Sequence, residues 1–119
     1  MAITKTSRLL LAAGTALPAN STVNSTELNL STSPGARVFV KITNGATPPT
    51  TAPKVVFHSG EATTVKRDLY TAAGDTVANS ITHISCRYGV VDMFANVTLT
   101  GGATTGSTVE VMAQEATTL

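Results

Sequence analysis

Residues 97–114 read VTLTGGATTGSTVEVMAQ, and this stretch decides the expected fold. On both sides of its GGATTGS centre, apolar residues occupy every second position and alternate with mostly polar ones. Such alternation is typical of a β-strand with one face on a core, and a glycine-rich run between two strands is typical of a turn. The stretch therefore predicts a β-hairpin that closes the domain.

A second stretch repeats this design. Residues 40–57 read VKITNGATPPTTAPKVVF, and their start lines up with VTLTGGAT at residues 97–104. The match predicts two similar ribbons, one in each half of the chain, with the other strands arranged around them. Two explanations for the match stay open, duplication and convergent turn chemistry, because Asn-Gly and Gly-Gly are both favoured at tight turns.

The strongest single strand is residues 36–43, ARVFVKIT. Its alternation predicts a core face made of Ala36, Val38, Val40 and Ile42. The opposite face is expected to carry Arg37, Phe39 and Lys41. Further strands are expected at 4–13, 27–31, 54–59, 81–88 and 93–100, whereas 61–70 fits either a strand or one or two helical turns.

Turn signals recur about every 8–12 residues, which favours an all-β fold. We expect a small sandwich or jelly roll of about eight short antiparallel strands with an extended N-terminal arm. A jelly roll and an immunoglobulin-like sandwich both stay open, because alternation does not reveal strand order. The 119 residues suit one domain. We expect residues 1–13 to form an arm or edge strand and residues 14–119 a single β-sandwich domain.

Composition points to a protein that works packed against neighbours. Charged residues make up 13% of the chain, about half the usual share, and threonine is abundant. The net charge is +1 and the basic residues are scattered, so no basic field for nucleic acid is expected. The apolar run at residues 9–13 is too short for a signal peptide, and no run reaches the roughly 18 residues of a membrane span.

Catalytic and cofactor signatures are weak throughout the sequence. The seven acidic residues have no spacing that forces two of them together, and the two histidines supply too few ligands for a metal site. Cys86 is the single cysteine and lies in an alternating run, where a buried hydrophobe is expected. We therefore expect no enzyme activity, no catalytic residues, no metal and no cofactor.

Several polar-side residues of strong strands suggest a contact face for a partner. These are Arg37, Phe39, Lys41, His83 and Arg87. Within the N-terminal segment, the candidate contact residues are Ile3, Lys5, Arg8 and Leu10. An ordinary solvated surface is the alternative explanation for all of them.

The short Thr/Ala/Gly-rich chain, with KITNGATPP, TLTGGATTGSTVEV and the segment MAITKTSRLLLAAGTALPA, resembles small all-β bacteriophage virion proteins. It is most similar to capsid decoration proteins, also called cement or head-stabilising proteins. The resemblance implies a structural protein on the outer capsid surface, made in the host bacterial cytoplasm. The implied partners are the major capsid protein and further copies of itself, as a dimer or trimer.

Two other functions remain open at this stage. One is a phage tail, neck or fibre-adaptor component built on the same sandwich. The other is a carbohydrate-binding module, which would need exposed aromatic rings and would place a glycan near Tyr70 or Tyr88. For the capsid role, residues 1–13 are expected to pair with an exposed strand edge of a neighbouring subunit.

Overall fold

The computed structural model describes residues 4–62 and 65–118, and these residues form nine strands in two antiparallel sheets. No helix that is long and apolar enough to span a membrane occurs in these two ranges. The strands are β1 Thr4–Leu17, β2 Thr22–Asn24, β3 Leu28–Asn29, β4 Gly35–Thr43, β5 Lys54–Ala62, β6 Val65–Ala73, β7 Ile81–Tyr88, β8 Phe94–Thr100 and β9 Ser107–Thr118.

The strand order is that of a jelly roll. One sheet has four strands in the order β1-β9-β4-β7, and the other has the order β2-β8-β5-β6 with β3 also on β8. Because β2 and β3 both pair with β8, they act as one interrupted strand and leave eight strands in two sheets of four. An immunoglobulin-like sandwich would instead place its second strand beside its first in the same sheet. The all-β prediction is confirmed, and the strand order selects the jelly roll.

The two predicted hairpins are wrong as strand pairings. β8 and β9 lie in different sheets, as do β4 and β5, so residues 101–106 and 44–53 cross from one sheet to the other. The two stretches pair with each other instead, β4 with β9 and β5 with β8. Alternation could not show this, because it reports that a strand buries one face and not which strand lies beside it.

Close packing between loops explains the glycines in GGATTG. A Cβ atom at Gly101 would overlap the carbonyl oxygen of Pro18, and one at Gly102 would overlap that of Thr51. The Gly101 amide also donates a hydrogen bond to the Ser21 carbonyl oxygen at 2.8 Å. The glycines therefore let three loops meet at one end of the sandwich, rather than forming a tight turn.

Small aliphatic side chains fill most of the core between the sheets. β4 turns Ala36, Val38, Val40 and Ile42 inward, as its alternation predicted. The two largest fully buried side chains are Phe57 on β5 and Tyr88 on β7. Interdigitating Val, Leu and Ala side chains suit the gap of about 10 Å between packed sheets.

β1 differs from its expected course. It continues through Gly14, whose φ of 79° suits glycine, and ends at Leu17. Its register with β9 shifts between Leu9 and Leu11, which leaves Leu10 as an extra residue that turns inward. In residues 61–70 the described part is strand, at the end of β5 and the start of β6, so the helical alternative is wrong there.

Tyr88 makes the stability of the fold sensitive to alkaline pH. Its side chain is 1% exposed, and its hydroxyl donates a hydrogen bond to the His58 carbonyl oxygen at 3.0 Å. Burial, with a smaller contribution from nearby Cys86 and Asp92, raises the pKa of Tyr88 above its ordinary value of 10.0. Above pH 10 the unfolded chain therefore loses this proton while the folded chain keeps it, and folding becomes less favourable.

We expect this group to lower the free energy of unfolding by about 1.4 kcal/mol between pH 8 and pH 11. Urea unfolding at pH 8 and pH 11 measures this change. The free energy of unfolding should fall less for Tyr88→Phe than for the parent chain. Tyr70→Phe is the control, because Tyr70 is 49% exposed, and it should behave like the parent. Equal losses in the parent and in Tyr88→Phe would contradict the assignment.

Candidate interaction face

The outer side of the four-stranded sheet, called here the outer face, carries an apolar row across three neighbouring strands. Met112 on β9 is the register partner of Leu9 on β1 and of Phe39 on β4. The exposed fractions are 57% for Leu9, 36% for Met112 and 45% for Phe39. The row exists because each residue occupies the outward position of a strand whose alternate residues enter the core.

Cationic side chains lie on both sides of this row. Arg37 is directly opposite Arg87 on β7, and Lys41 lies between Glu110 and His83. Arg37 Nη1 donates a hydrogen bond to the Ser85 hydroxyl oxygen at 3.3 Å. The centre of the outer face is thus apolar and its flanks are mainly basic.

Two adjoining depressions mark the surface. One, of about 320 Å³, lies between Phe39, Met112, Lys41 and His83. The other, of about 510 Å³, lies at the end of the sheet between Lys5, Arg37 and Arg87. Phe39 and Gln114 line both depressions, so the two depressions adjoin each other at the Phe39 ring.

Charge is distributed unequally over the molecule. The outward positions of this face hold four of the eight Lys and Arg residues, Lys5, Arg37, Lys41 and Arg87, and one of the seven acidic residues, Glu110. Glu115 borders the second depression but is not counted, because it is buried on the inward side and forms an ion pair with Arg8. Its formal charge is therefore +3, whereas the rest of the chain carries −2, since the whole chain is +1. This separation was hidden in the sequence, where the basic residues are scattered.

The Arg37–Arg87 pair is unfavourable within the isolated protein. Like charges directly opposite each other on neighbouring strands are destabilising, by amounts comparable to the about 0.2–1 kcal/mol that favourable cross-strand pairs contribute. Residues that cost stability and remain exposed are characteristic of a surface that meets a complementary partner. An anionic partner would relieve this repulsion.

The structure brings most of the sequence-predicted contact residues together. Arg37, Phe39, Lys41, His83 and Arg87 share the outer face, and Lys5 lies at its end. Whether they bind a partner remains a prediction.

The other three N-terminal candidates are placed differently. Arg8 Nε lies 3.0 Å from Glu115 Oε1, away from the apolar row, and Glu115 is buried. Leu10 does not lie on the outer face, because the β1 bulge turns it into the core and leaves it 4% exposed. Ile3 lies outside the described residues.

Sequence reasoning missed the two other members of the apolar row. Met112 could have been found, because it alternates with Val111 and Ala113 as Phe39 does with Val38 and Val40. Leu9 could not, because its outward position depends on the extra residue in β1, which the run LLLAA does not reveal.

The outer side of the five-stranded sheet has a polar cluster instead. The Thr98 hydroxyl lies 2.8 Å from both Asn24 Oδ1 and His58 Nε2, and His58 Nδ1 lies 3.1 Å from Asp68 Oδ1. The order Asp68, His58, Thr98 has the outline of a catalytic triad. However, Thr98 donates its single proton to Asn24, so His58 Nε2 acts as the donor to Thr98 and not as its base.

The remaining candidate chemistry is also dispersed. His58 and His83 lie on opposite outer sides of the sandwich, so they cannot share one metal ion. In residues 4–62 and 65–118, no group of three or more potential metal ligands occurs. Tyr88, one of the two expected glycan contacts, is buried and therefore cannot stack on a sugar.

If Phe39 belongs to a free surface, its replacement should cost little stability. We expect Phe39→Thr to change the free energy of unfolding by no more than about 1 kcal/mol, because only exposed cross-strand packing is lost. Ile42→Ala on the same strand is the control. Ile42 is 1% exposed, so its truncation should cost about 2–5 kcal/mol. Chemical denaturation measures both, and similar losses would mean that Phe39 is a structural residue.

Comparison with known proteins shows the fold. No protein-family model and no curated protein matches the chain. Among solved structures it is similar to one of Bacillus endospore appendages, described as disulfide-linked pili, with 17% identity, a TM-score of 0.60, and 98% of this chain and 89% of that chain covered. It is also similar to the PRD1 vertex protein P5, with 12% identity, a TM-score of 0.60, and 94% and 96% of the two chains covered. At these identities the likeness is one of architecture.

Proposed function

We propose that this chain is a non-enzymatic structural protein of a bacteriophage virion that binds the outer surface of the capsid and stabilises it. In this role the outer face docks on the major capsid protein, so that each copy ties neighbouring shell subunits together. Many copies with modest individual contacts then add up to a large mechanical effect, because binding one subunit raises the effective concentration at the next.

The observation that carries the proposal is the opposed Arg37–Arg87 pair beside the exposed row of Leu9, Met112 and Phe39. Apolar side chains at the centre of a patch with charged side chains around it are the usual arrangement of a protein–protein interface. A matching surface would carry apolar side chains ringed by carboxylates. A phosphodiester backbone would satisfy the cations but would leave the apolar row in contact with water.

The structural comparisons support the same class of function. One of the two similar structures is named as a vertex protein and the other as disulfide-linked pili. The separation of charge on this chain also disfavours stacking two outer faces together, because +3 would meet +3. A different, more acidic surface is the better match.

Copy number in purified virions tests this role. Quantitative mass spectrometry against the major shell protein should give hundreds of copies per particle in a fixed ratio. About six to a few dozen copies would contradict the capsid role and indicate a neck or tail component. Absence from the particles would reject the virion assignment altogether.

A charge reversal tests the face itself. We expect Lys41→Glu to weaken binding to shells that lack this protein by about fivefold or more, with a larger difference at low salt. Lys54→Glu makes the same change on β5 of the other sheet and should bind within about twofold of the parent. Co-sedimentation at two salt concentrations measures both variants. Equal binding by the two variants would show that the shell contacts another part of the molecule.

A further inference from the structure

The open edges of the two sheets differ in how they are protected. An edge strand exposes unpaired backbone N–H and C=O groups to any other strand, and proteins usually block such edges with bulges, charges or very short strands. In the described residues, the edge positions belong to β1 and β7 in the four-stranded sheet and to β6, β2 and β3 in the other sheet.

All of these edges except β7 carry a recognisable block. β1 has register shifts on both sides of Leu11, and the Thr26 amide donates a hydrogen bond to its Leu10 carbonyl oxygen at 3.1 Å. β6 has an extra residue, Leu69, and consecutive charges at residues 66–68. β2 and β3 contain three and two residues, which is too short to pair stably with another strand.

β7 has no such block. Its eight residues, Ile81–Tyr88, pair with β4 without any register shift or proline, and the only permanent charge among them is Arg87, next to the end of the strand. Its only ladder is with β4, and the backbone hydrogen bonds outside the ladders involve none of its residues. Within the described chain, the groups on its far side are thus available to a new strand.

Exposed apolar side chains lie on β7 and on the neighbouring edge strand of the other sheet. Ile81 on β7 is 53% exposed. β6 is the edge of the other sheet on the same side of the sandwich, and its Leu69 and Tyr70 are 45% and 49% exposed. A strand added to β7 would therefore gain backbone hydrogen bonds and bring apolar side chains out of water.

We propose that β7 pairs with β7 of a second copy of this chain, antiparallel about a two-fold axis, to give a continuous eight-stranded sheet. A partner strand of the same length and regularity can pair with every residue of this edge, and in the described part of this chain only β7 provides one. Pairing β7 with itself also closes the assembly, because the same edge is used up on both copies. About six to eight backbone hydrogen bonds would form.

Charge selects the register. If Ile84 faces Ile84 of the second copy, Arg87 faces Ile81, His83 faces Ser85 and Thr82 faces Cys86. A shift by one residue toward the C-terminus on each copy would instead place His83 opposite Arg87, and the opposite shift would place His83 opposite His83, so either shift brings two basic side chains together. The first register avoids this repulsion, so we assign it to the dimer.

The dimer extends the outer face without covering it. Because the new ladder lies at the sheet edge, Phe39, Met112 and Leu9 of both copies stay on the same side of one sheet. This inference does not depend on the capsid role, since it concerns the protein alone. Its test therefore uses only the purified full-length chain.

Sedimentation equilibrium over a range of concentrations should give twice the chain mass of 12.2 kDa. Thr82→Lys should give the monomer, because a lysine at this position would be buried opposite Cys86 of the second copy. Thr71→Lys places the same substitution on β6 and should remain a dimer. A monomeric parent, or a Thr71→Lys monomer together with a Thr82→Lys dimer, would overturn the proposal.

A cross-link tests the register and does not depend on how Thr82→Lys folds. Under oxidation, Thr82→Cys should form a covalent dimer through the Cys86 of the second copy, since paired residues lie within disulfide reach. Positions 82 and 86 of one copy are about 13 Å apart along the strand, so an internal disulfide is not possible. Adding Cys86→Ser to this variant should abolish the link. A Thr82→Cys chain that dimerises without cross-linking would overturn the assigned register.

Discussion

The pairing of β9 with both β1 and β4 is the constraint on which the rest of the structure depends. β9 lies in the middle of the four-stranded sheet and joins the first strand of the chain to the middle of the sequence. Its register also aligns Leu9, Met112 and Phe39 in one row. A slip of one residue in this register would turn Val111 outward and Met112 inward. It would therefore expose core residues and bury the apolar row.

The two outer sides of the sandwich differ in how their side chains are bonded. On the five-stranded sheet, Thr98 is hydrogen-bonded to Asn24 and His58, and buried Asn96 donates a hydrogen bond to the Ser25 carbonyl oxygen. On the four-stranded sheet, Arg37 and Arg87 lie opposite each other, Arg37 has a hydrogen bond to Ser85, and the apolar row stays exposed. A surface whose polar side chains already bond to one another has less to gain from a partner than a face that offers both cationic and exposed apolar side chains.

The candidate site was predictable where it depended on alternation alone. The inward and outward sets of β4 and β7 follow from period-2 patterning, so Arg37, Phe39, Lys41, His83 and Arg87 were found as outward residues. Their convergence on one face was not predictable, because β4 and β7 are about 40 residues apart and no short turn links them. Leu10 was predicted on the wrong face because β1 has a bulge at this residue. A bulge reverses which residues point inward, and in a run of leucines the sequence gives no sign of it.

The amino-acid sequence by itself determined that this chain forms short half-buried strands, which positions of each strand enter the core, and that its core must be built from small aliphatic side chains. These properties are local, because they depend on side-chain size and on a repeat of two residues. Only the tertiary structure decided that the two similar stretches are sheet-crossing arches paired with each other, that the strand order is a jelly roll, and that scattered basic residues form one charged face. These properties depend on which distant strands pair, and an alternating strand of this kind fits many partners equally well until the whole core has closed.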